Sequence, residues 1–206
     1  LGTKALHPPG QRIAIAQDEA FAFAYPHLLT GWQEQRAEIF PFSPLADEAP
    51  DQNCDSIFLP GGYPELHAGQ LAANDNFLNG LKTIAGEGNF VYGECGGFMV
   101  LGDALIDADG ESHTMANLLP LVTSFEKRKL HLGYRLAKPL STLPFGEPGD
   151  VLTAHEFHYS SVVEEGKADR MFAISDARDE DLGECGLKRD NVMGSYLHLI
   201  DRRDAI

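Results

Sequence analysis

Short apolar runs alternate with polar, glycine- or proline-marked connections through the first half of the chain. Arg12–Ala16 reads Arg-Ile-Ala-Ile-Ala, a run of strand length without polar alternation, as a strand buried on both faces requires. Residues 37–42, 55–60 and 88–92 repeat that pattern. Helical signals lie between them. Tyr25-Pro26 opens the first, because proline suits the first helical turn. The second covers residues 74–85, where Phe77, Leu78, Leu81, Ile84 and Ala85 make one apolar stripe. This alternation predicts a parallel, doubly wound α/β sheet. The second half reads differently. Short β-like runs at 129–136, 150–154, 157–163, 171–175 and 192–197 follow with few helix signals. They predict an antiparallel extension on a mostly parallel core. Residues 1–11 contain Gly and Pro without periodicity and read as a linker or domain entry, which leaves 12–206 as one domain.

Composition narrows the class. The length of 206 residues suits one α/β domain, and 43 % hydrophobic content supports a packed core. A net charge of −15 argues against a phosphate-backbone partner. No apolar run approaches the ~20 residues needed to span a bilayer, and no leader pattern opens the chain. The expectation is a cytoplasmic protein that meets neither nucleic acid nor membrane. The first residue is Leu rather than Met, which reads as a piece of a longer polypeptide. Cys54, Cys95 and Cys185 are an odd set without CxxC spacing, so neither a disulfide framework nor a metal site is expected.

One cysteine has a chemical setting. Gly93-Glu94-Cys95-Gly96-Gly97 follows a predicted strand and precedes the apolar helix start Phe98-Met99-Val100-Leu101. A nucleophile between glycines at a strand-to-helix turn is the elbow arrangement of hydrolytic α/β enzymes. A helix N-terminus there is expected to stabilise a thiolate and lower its pKa. The alternative is a structural cysteine in a tight turn. Gly183-Glu184-Cys185-Gly186 repeats the tetrapeptide without a helix after it, so Cys185 reads as structural, as does Cys54. Leu59-Pro60-Gly61-Gly62 ends another strand. The N–H groups of Gly62 and Gly96 would form a two-donor oxyanion hole, unless the glycines only make a turn. The thiol needs a base. Of eight histidines, His198 fits best, placed by alternation at the carboxyl end of a strand over 192–197.

Together these elements resemble the class I, Cys–His type glutamine amidotransferase domain, and more closely the cobyrinic or hydrogenobyrinic acid a,c-diamide synthase family of cobalamin biosynthesis. The matching stretches are Leu59-Pro60-Gly61-Gly62-Tyr63-Pro64-Glu65, Gly93-Glu94-Cys95-Gly96-Gly97-Phe98-Met99, Leu132-Gly133-Tyr134-Arg135, His155-Glu156-Phe157-His158-Tyr159-Ser160 and Gly194-Ser195-Tyr196-Leu197-His198. The resemblance implies a flavodoxin-like fold in which Cys95 attacks the side-chain amide of L-glutamine and His198 is its base. Tyr63, Pro64, Arg128, Tyr159 and Ser160 would bind glutamine. Arg128 is a fork for the α-carboxylate or, equally, a solvated basic turn. Ammonia would pass to an N-terminal ATP- and magnesium-dependent synthetase domain of the same polypeptide, for a corrinoid acceptor. No GxxxxGK[ST] loop occurs in the chain, so that domain is not part of it, and the glutaminase domain itself needs no cofactor. Many class I members carry Glu two positions after the base; Ile200 stands there, which leaves a Cys–His dyad with the orienting partner of His198 open. His155 and His158 belong near the site or its corrin-facing surface rather than in the chemistry. Glu94 is expected to pair locally without moving protons. Three other readings remain: a cysteine hydrolase of the same fold, the glutaminase of a cobyric acid synthase-like or cell-wall amidating enzyme, and a non-catalytic module.

Overall fold

The computed structural model describes residues 3–203. Its strands and helices follow the expected order through the first half: β1 (Thr3–Lys4), β2 (Arg12–Ala16), α1 (Pro26–Glu34), β3 (Glu38–Phe42), β4 (Ser56–Leu59), α2 (Ala68–Ala73), α3 (Asp75–Gly86), β5 (Phe90–Glu94) and α4 (Gly96–Leu101). The second half is almost all strand: β6 (Ala104–Ile106), β7 (Ser112–Thr114), β8 (Leu121–Ser124), β9 (His131–Pro139), β10 (Val151–His158), β11 (Ser161–Glu165), β12 (Asp169–Ser175), β13 (Asp181–Arg189), β14 (Val192–Ser195) and β15 (Leu197–Arg203).

The parallel strands stand in the order β3-β2-β4-β5-β14. That is the doubly wound flavodoxin-like order. Beyond β14 the same sheet continues antiparallel as β13, β12, β9, β10, β15 and β1, which makes eleven strands in all. The expected antiparallel extension is therefore the larger part of the sheet. A second sheet, β11-β8-β6-β7, was not foreshadowed. Its three-residue members are too short to show periodicity.

The parallel strands alternate their side chains between two apolar clusters, which is why they read as unbroken apolar runs. Ala14, Ile57, Leu59 and Val91 face α3 and α4 with Phe77, Leu81 and Phe98. Ile13, Ile15, Phe58 and Tyr92 face α1 through Leu28 and Trp32 on the other side. All five residues of the predicted stripe on α3 are buried. The first residues do more than connect. Thr3 and Lys4 pair with Arg203 and Arg202 of β15, and Leu6 is buried in the core. Among the described residues no helix is long and apolar enough to cross a membrane.

One boundary differs in a way that matters. The run 192–197 is not one strand ending at His198. It breaks at Tyr196, and His198 is the second residue of β15. The strand changes partner there: β14 runs parallel to β5, whereas β15 pairs antiparallel with β10. The Leu197 N–H turns back to Ser195 Oγ at 3.1 Å and closes the break. Sequence alternation carries no sign of such a switch of neighbour.

Candidate active site

Cys95 sits at the tip of β5 with φ 46° and ψ −100°, a sparsely populated conformation for a residue with a side chain. Such a conformation costs roughly 1–3 kcal/mol and survives only where its surroundings fix it. Three backbone bonds do so: Cys95 N–H to Ser195 O at 2.8 Å, Gly97 N–H to Pro60 O at 3.2 Å, and Met99 N–H to Cys95 O at 3.1 Å. The turn also packs against β4 so tightly that a Cβ on Gly97 would lie 2.0 Å from Leu59 O. The carboxyl ends of β4, β5 and β14 thus converge on the sulfur, where open α/β sheets bind ligands.

The electrostatics correct one expectation. Burial pushes the Cys95 thiol up to about 12, opposed by the Gly96 N–H and reinforced by Glu65, Glu94 and Glu156. The helix that follows has only six residues, and its N-terminus does not offset desolvation. The resting sulfur is a thiol that donates to Phe157 O at 3.6 Å.

Gly62 and Gly96 face each other across the site. A Cβ on Gly96 would stand 3.1 Å from Gly62 N and 2.9 Å from Pro64 Cδ. The Gly96 N–H reaches the sulfur, and among the described residues the Gly62 N–H finds no acceptor. Two glycine N–H groups this close to one another and to the sulfur suit a developing oxyanion. Gly62 itself is obligatory, since a Cβ there would lie 2.1 Å from Ala20 O.

His198 enters from β15 and is 3 % exposed. Its ring lies over Gly61, 5.5 Å from the His155 ring and 6.1 Å from the Tyr25 ring. Burial, with the charges of His155 and His158, lowers it to about 4, so the ring is neutral at rest and available as a base. A Cβ at Gly61 would come within 2.4 Å of His198 Cε1. Gly61 is outside the left-handed region, so alanine is compatible with its backbone. The Gly61→Ala protein should therefore fold, judged by circular dichroism, while kcat for glutamine hydrolysis drops about 10²-fold as the ring is displaced. A wild-type kcat would show that the ring position is unimportant.

Phe23, Gly62, Tyr63, Glu65, Cys95 and Tyr159 line a cavity of about 50 Å³. Ligand pockets typically measure roughly 300–1,000 Å³, so the space beside the sulfur is small for a ligand. Tyr63 and Tyr159 are exposed at its rim, and Pro64 packs behind Gly96. Arg128 lies in an exposed connection after β8, where its charge acts on half-buried Glu65. Ser160 turns away from the cavity: it is buried and its Oγ donates to Tyr196 OH at 2.8 Å. Cys54 and Cys185 lie away from this convergence, in the core and on β13.

Sequence reasoning assigns no chemistry to three further participants. Phe157 contributes a backbone carbonyl, which no side-chain pattern can announce. Tyr25 OH lies 3.3 Å from His155 Nδ1. Glu94, read as a local partner, places Oε2 3.9 Å from His198 Nδ1. As a metal candidate, His131, Glu156 and His158 bring ligand atoms within 4.8 Å of one another. Arg135 already holds Glu156 through Nε at 2.9 Å and Nη2 at 2.8 Å, which balances that carboxylate without an ion.

The model of the CobB/CobQ-like glutamine amidotransferase domain matches residues 12–205. The chain is 58 % identical over 196 residues to a hydrogenobyrinate a,c-diamide synthase from a Sinorhizobium species, covering 95 % of this chain and 44 % of that protein. Identity to the enzyme of the same name from Mesorhizobium japonicum is 50 % over 201 residues, covering 98 % and 46 %. The chain thus spans less than half the length of these curated relatives. Among solved structures, a glutamine amidotransferase from Thermotoga maritima superposes with a TM-score of 0.59 at 15 % identity, covering 91 % of this chain and 75 % of the other. PurLQS from the same organism gives 0.55 at 15 % identity, covering 92 % and 87 %. At that identity the likeness shows the fold alone. By its sequence and its fold, the chain belongs to the family of CobB/CobQ-like glutamine amidotransferase domains.

Proposed function

We propose that this chain is the glutamine-hydrolysing part of an ATP-dependent amide ligase that converts the a and c carboxylates of hydrogenobyrinate to amides. The observation that carries the chemistry is the convergence of a strained cysteine, two glycine N–H groups and a neutral buried imidazole at one end of the parallel strands. The relatives named above support the acceptor.

The steps follow from those groups. The Cys95 thiol gives its proton to His198 as sulfur attacks the amide carbon of glutamine. Charge develops on the amide oxygen between the Gly62 and Gly96 N–H groups. Collapse expels ammonia, which takes the proton back from the imidazolium and leaves a γ-glutamyl thioester on Cys95. Water, deprotonated by His198, then releases glutamate and restores the thiol. With burial raising the Cys95 thiol to about 12 and lowering His198 to about 4, a resting thiolate–imidazolium pair is unfavourable. Glutamine must also widen the cavity around Cys95. ATP and magnesium belong to the synthetase half, which activates the carboxylates as acyl phosphates.

The test supplies glutamine labelled with ¹⁵N in its side-chain amide, ATP, magnesium and hydrogenobyrinate to the full ligase. Label should appear in the a and c amides. A Cys95→Ala ligase should lose glutamine-dependent amidation and keep ammonia-dependent amidation. Absence of glutamine hydrolysis in the wild-type ligase would refute the reading.

A further inference from the structure

The base lacks the carboxylate that class I members commonly place two residues after it, and Ile200 at that position uses its carbonyl to hold His27 Nε2 at 2.9 Å. His198 Nδ1 is fully buried and, among the described residues, has no hydrogen-bond partner. An unpaired ring nitrogen in such a place costs about 1–3 kcal/mol and leaves the tautomer undefined. Four elements surround the ring. The turn after β4 offers no titratable group at Gly61, β10 offers His155, the start of α1 offers Tyr25, and β5 offers Glu94. Of these only Glu94 supplies an acceptor carboxylate, and its Oε2 lies 3.9 Å from Nδ1. Its other oxygen is anchored on both sides, accepting from Tyr92 OH and from Leu199 N–H, each at 3.1 Å. The second bond reaches the residue directly after His198, so the carboxyl is tied to the base's own strand. Both side chains are nearly inaccessible, at 2 % and 3 % exposure.

We propose that Glu94, from the nucleophile's strand, is the positioning residue that completes the missing triad by accepting a hydrogen bond from His198 Nδ1–H. A contraction of about 1 Å brings the pair to hydrogen-bond length, and such contacts often tighten only when substrate is bound. With Nδ1–H held by Glu94, the lone pair on Nε2 is left to take the Cys95 proton. The S–H bond breaks, the Nε2–H bond forms, and above the value of about 8 to which burial raises it the ionised Glu94 carboxylate stabilises the imidazolium that results. This deepens the glutaminase reading and rests on it for its kinetic half.

The experiment uses the chain with ¹⁵N-labelled histidine at pH about 9, above the value of about 8 to which burial raises the Glu94 carboxyl. The His198 signal is assigned by its loss in His198→Asn. The wild-type ring is expected as the Nδ1–H tautomer. In Glu94→Gln the amide N–H₂ donates to Nδ1 instead, and the ring is expected as Nε2–H. In the full ligase, kcat for glutamine hydrolysis should then fall roughly 10²- to 10⁴-fold, with KM within about threefold of wild type. A wild-type Nε2–H ring overturns the proposal, and so does a Glu94→Gln kcat within about threefold of wild type. Lower stability with an unchanged tautomer also overturns it, since a purely structural carboxyl would behave that way. If Glu94→Gln does not fold, the wild-type spectrum decides alone. If the wild-type ligase hydrolyses no glutamine, the glutaminase reading fails while the tautomer still tests the pairing.

Discussion

Replacing Cys95 by alanine is expected to lower glutamine hydrolysis by roughly 10⁴- to 10⁶-fold, because no other group in the cavity can form the thioester. Glu65 and Tyr159 line the same space, and neither carries a sulfur. The loss should be confined to glutamine chemistry and is measured as ammonia released per chain. A second change at the same position separates function from strain. Cys95 holds φ 46°, a region that glycine occupies freely. Cys95→Gly should be as inactive as Cys95→Ala yet more stable than it in urea, by about 1 kcal/mol, although added freedom of the unfolded chain offsets part of the gain. Equal stabilities would show that the turn at the elbow is relaxed. Residual turnover above a thousandth of wild type in either variant would remove the nucleophile from the mechanism.

His198→Ala should lower kcat by about 10³- to 10⁵-fold with little change in KM, since the ring moves protons rather than holding substrate. Alkylation of Cys95 by a glutamine-analogue diazo-ketone should slow in parallel. An unaffected alkylation rate would show that His198 does not activate the sulfur. The same variant makes a stability prediction. The folded imidazole titrates near 4 against an ordinary 6.5, so this group's contribution is fully present above pH 6.5 and disappears as pH falls towards 4. The unfolded chain takes up a proton in that window, and the folded chain does not. Wild type should therefore lose on the order of 2–3 kcal/mol between those pH values that His198→Ala does not lose. Denaturant unfolding at pH 7 and pH 4.5 measures the difference. Parallel pH dependence of the two proteins would place the ring in water.

The parallel half was legible because its strands are covered on both faces. Ile13, Ile15, Phe58 and Val91 cannot be polar without reaching one of the two apolar clusters. The elbow was legible because its geometry forces glycine on its flanks. The pieces that escaped depend on contacts between distant segments. Nothing near Thr3 says that it will pair with Arg203. Alternation runs smoothly through Tyr196, although the strand changes partners there. The state of the thiol could not be read either, because its depth is set by Phe157 and by carboxylates from three separate stretches. From sequence, Glu94 reads only as a local partner beside the nucleophile. Its neighbour at position 198 is fixed by the registers of β5 with β14 and of β15 with β10, neither of which is local.

Strand β10 touches both reacting groups. Its Phe157 carbonyl receives the sulfur, and two residues earlier His155 stands directly opposite His198 in the ladder. The same stretch surfaces at Phe157 and Tyr159, which are 37 % and 43 % exposed. Thiol and imidazole thus share one extended strand as a neighbour, so a substitution that shifts β10 alters the surroundings of both.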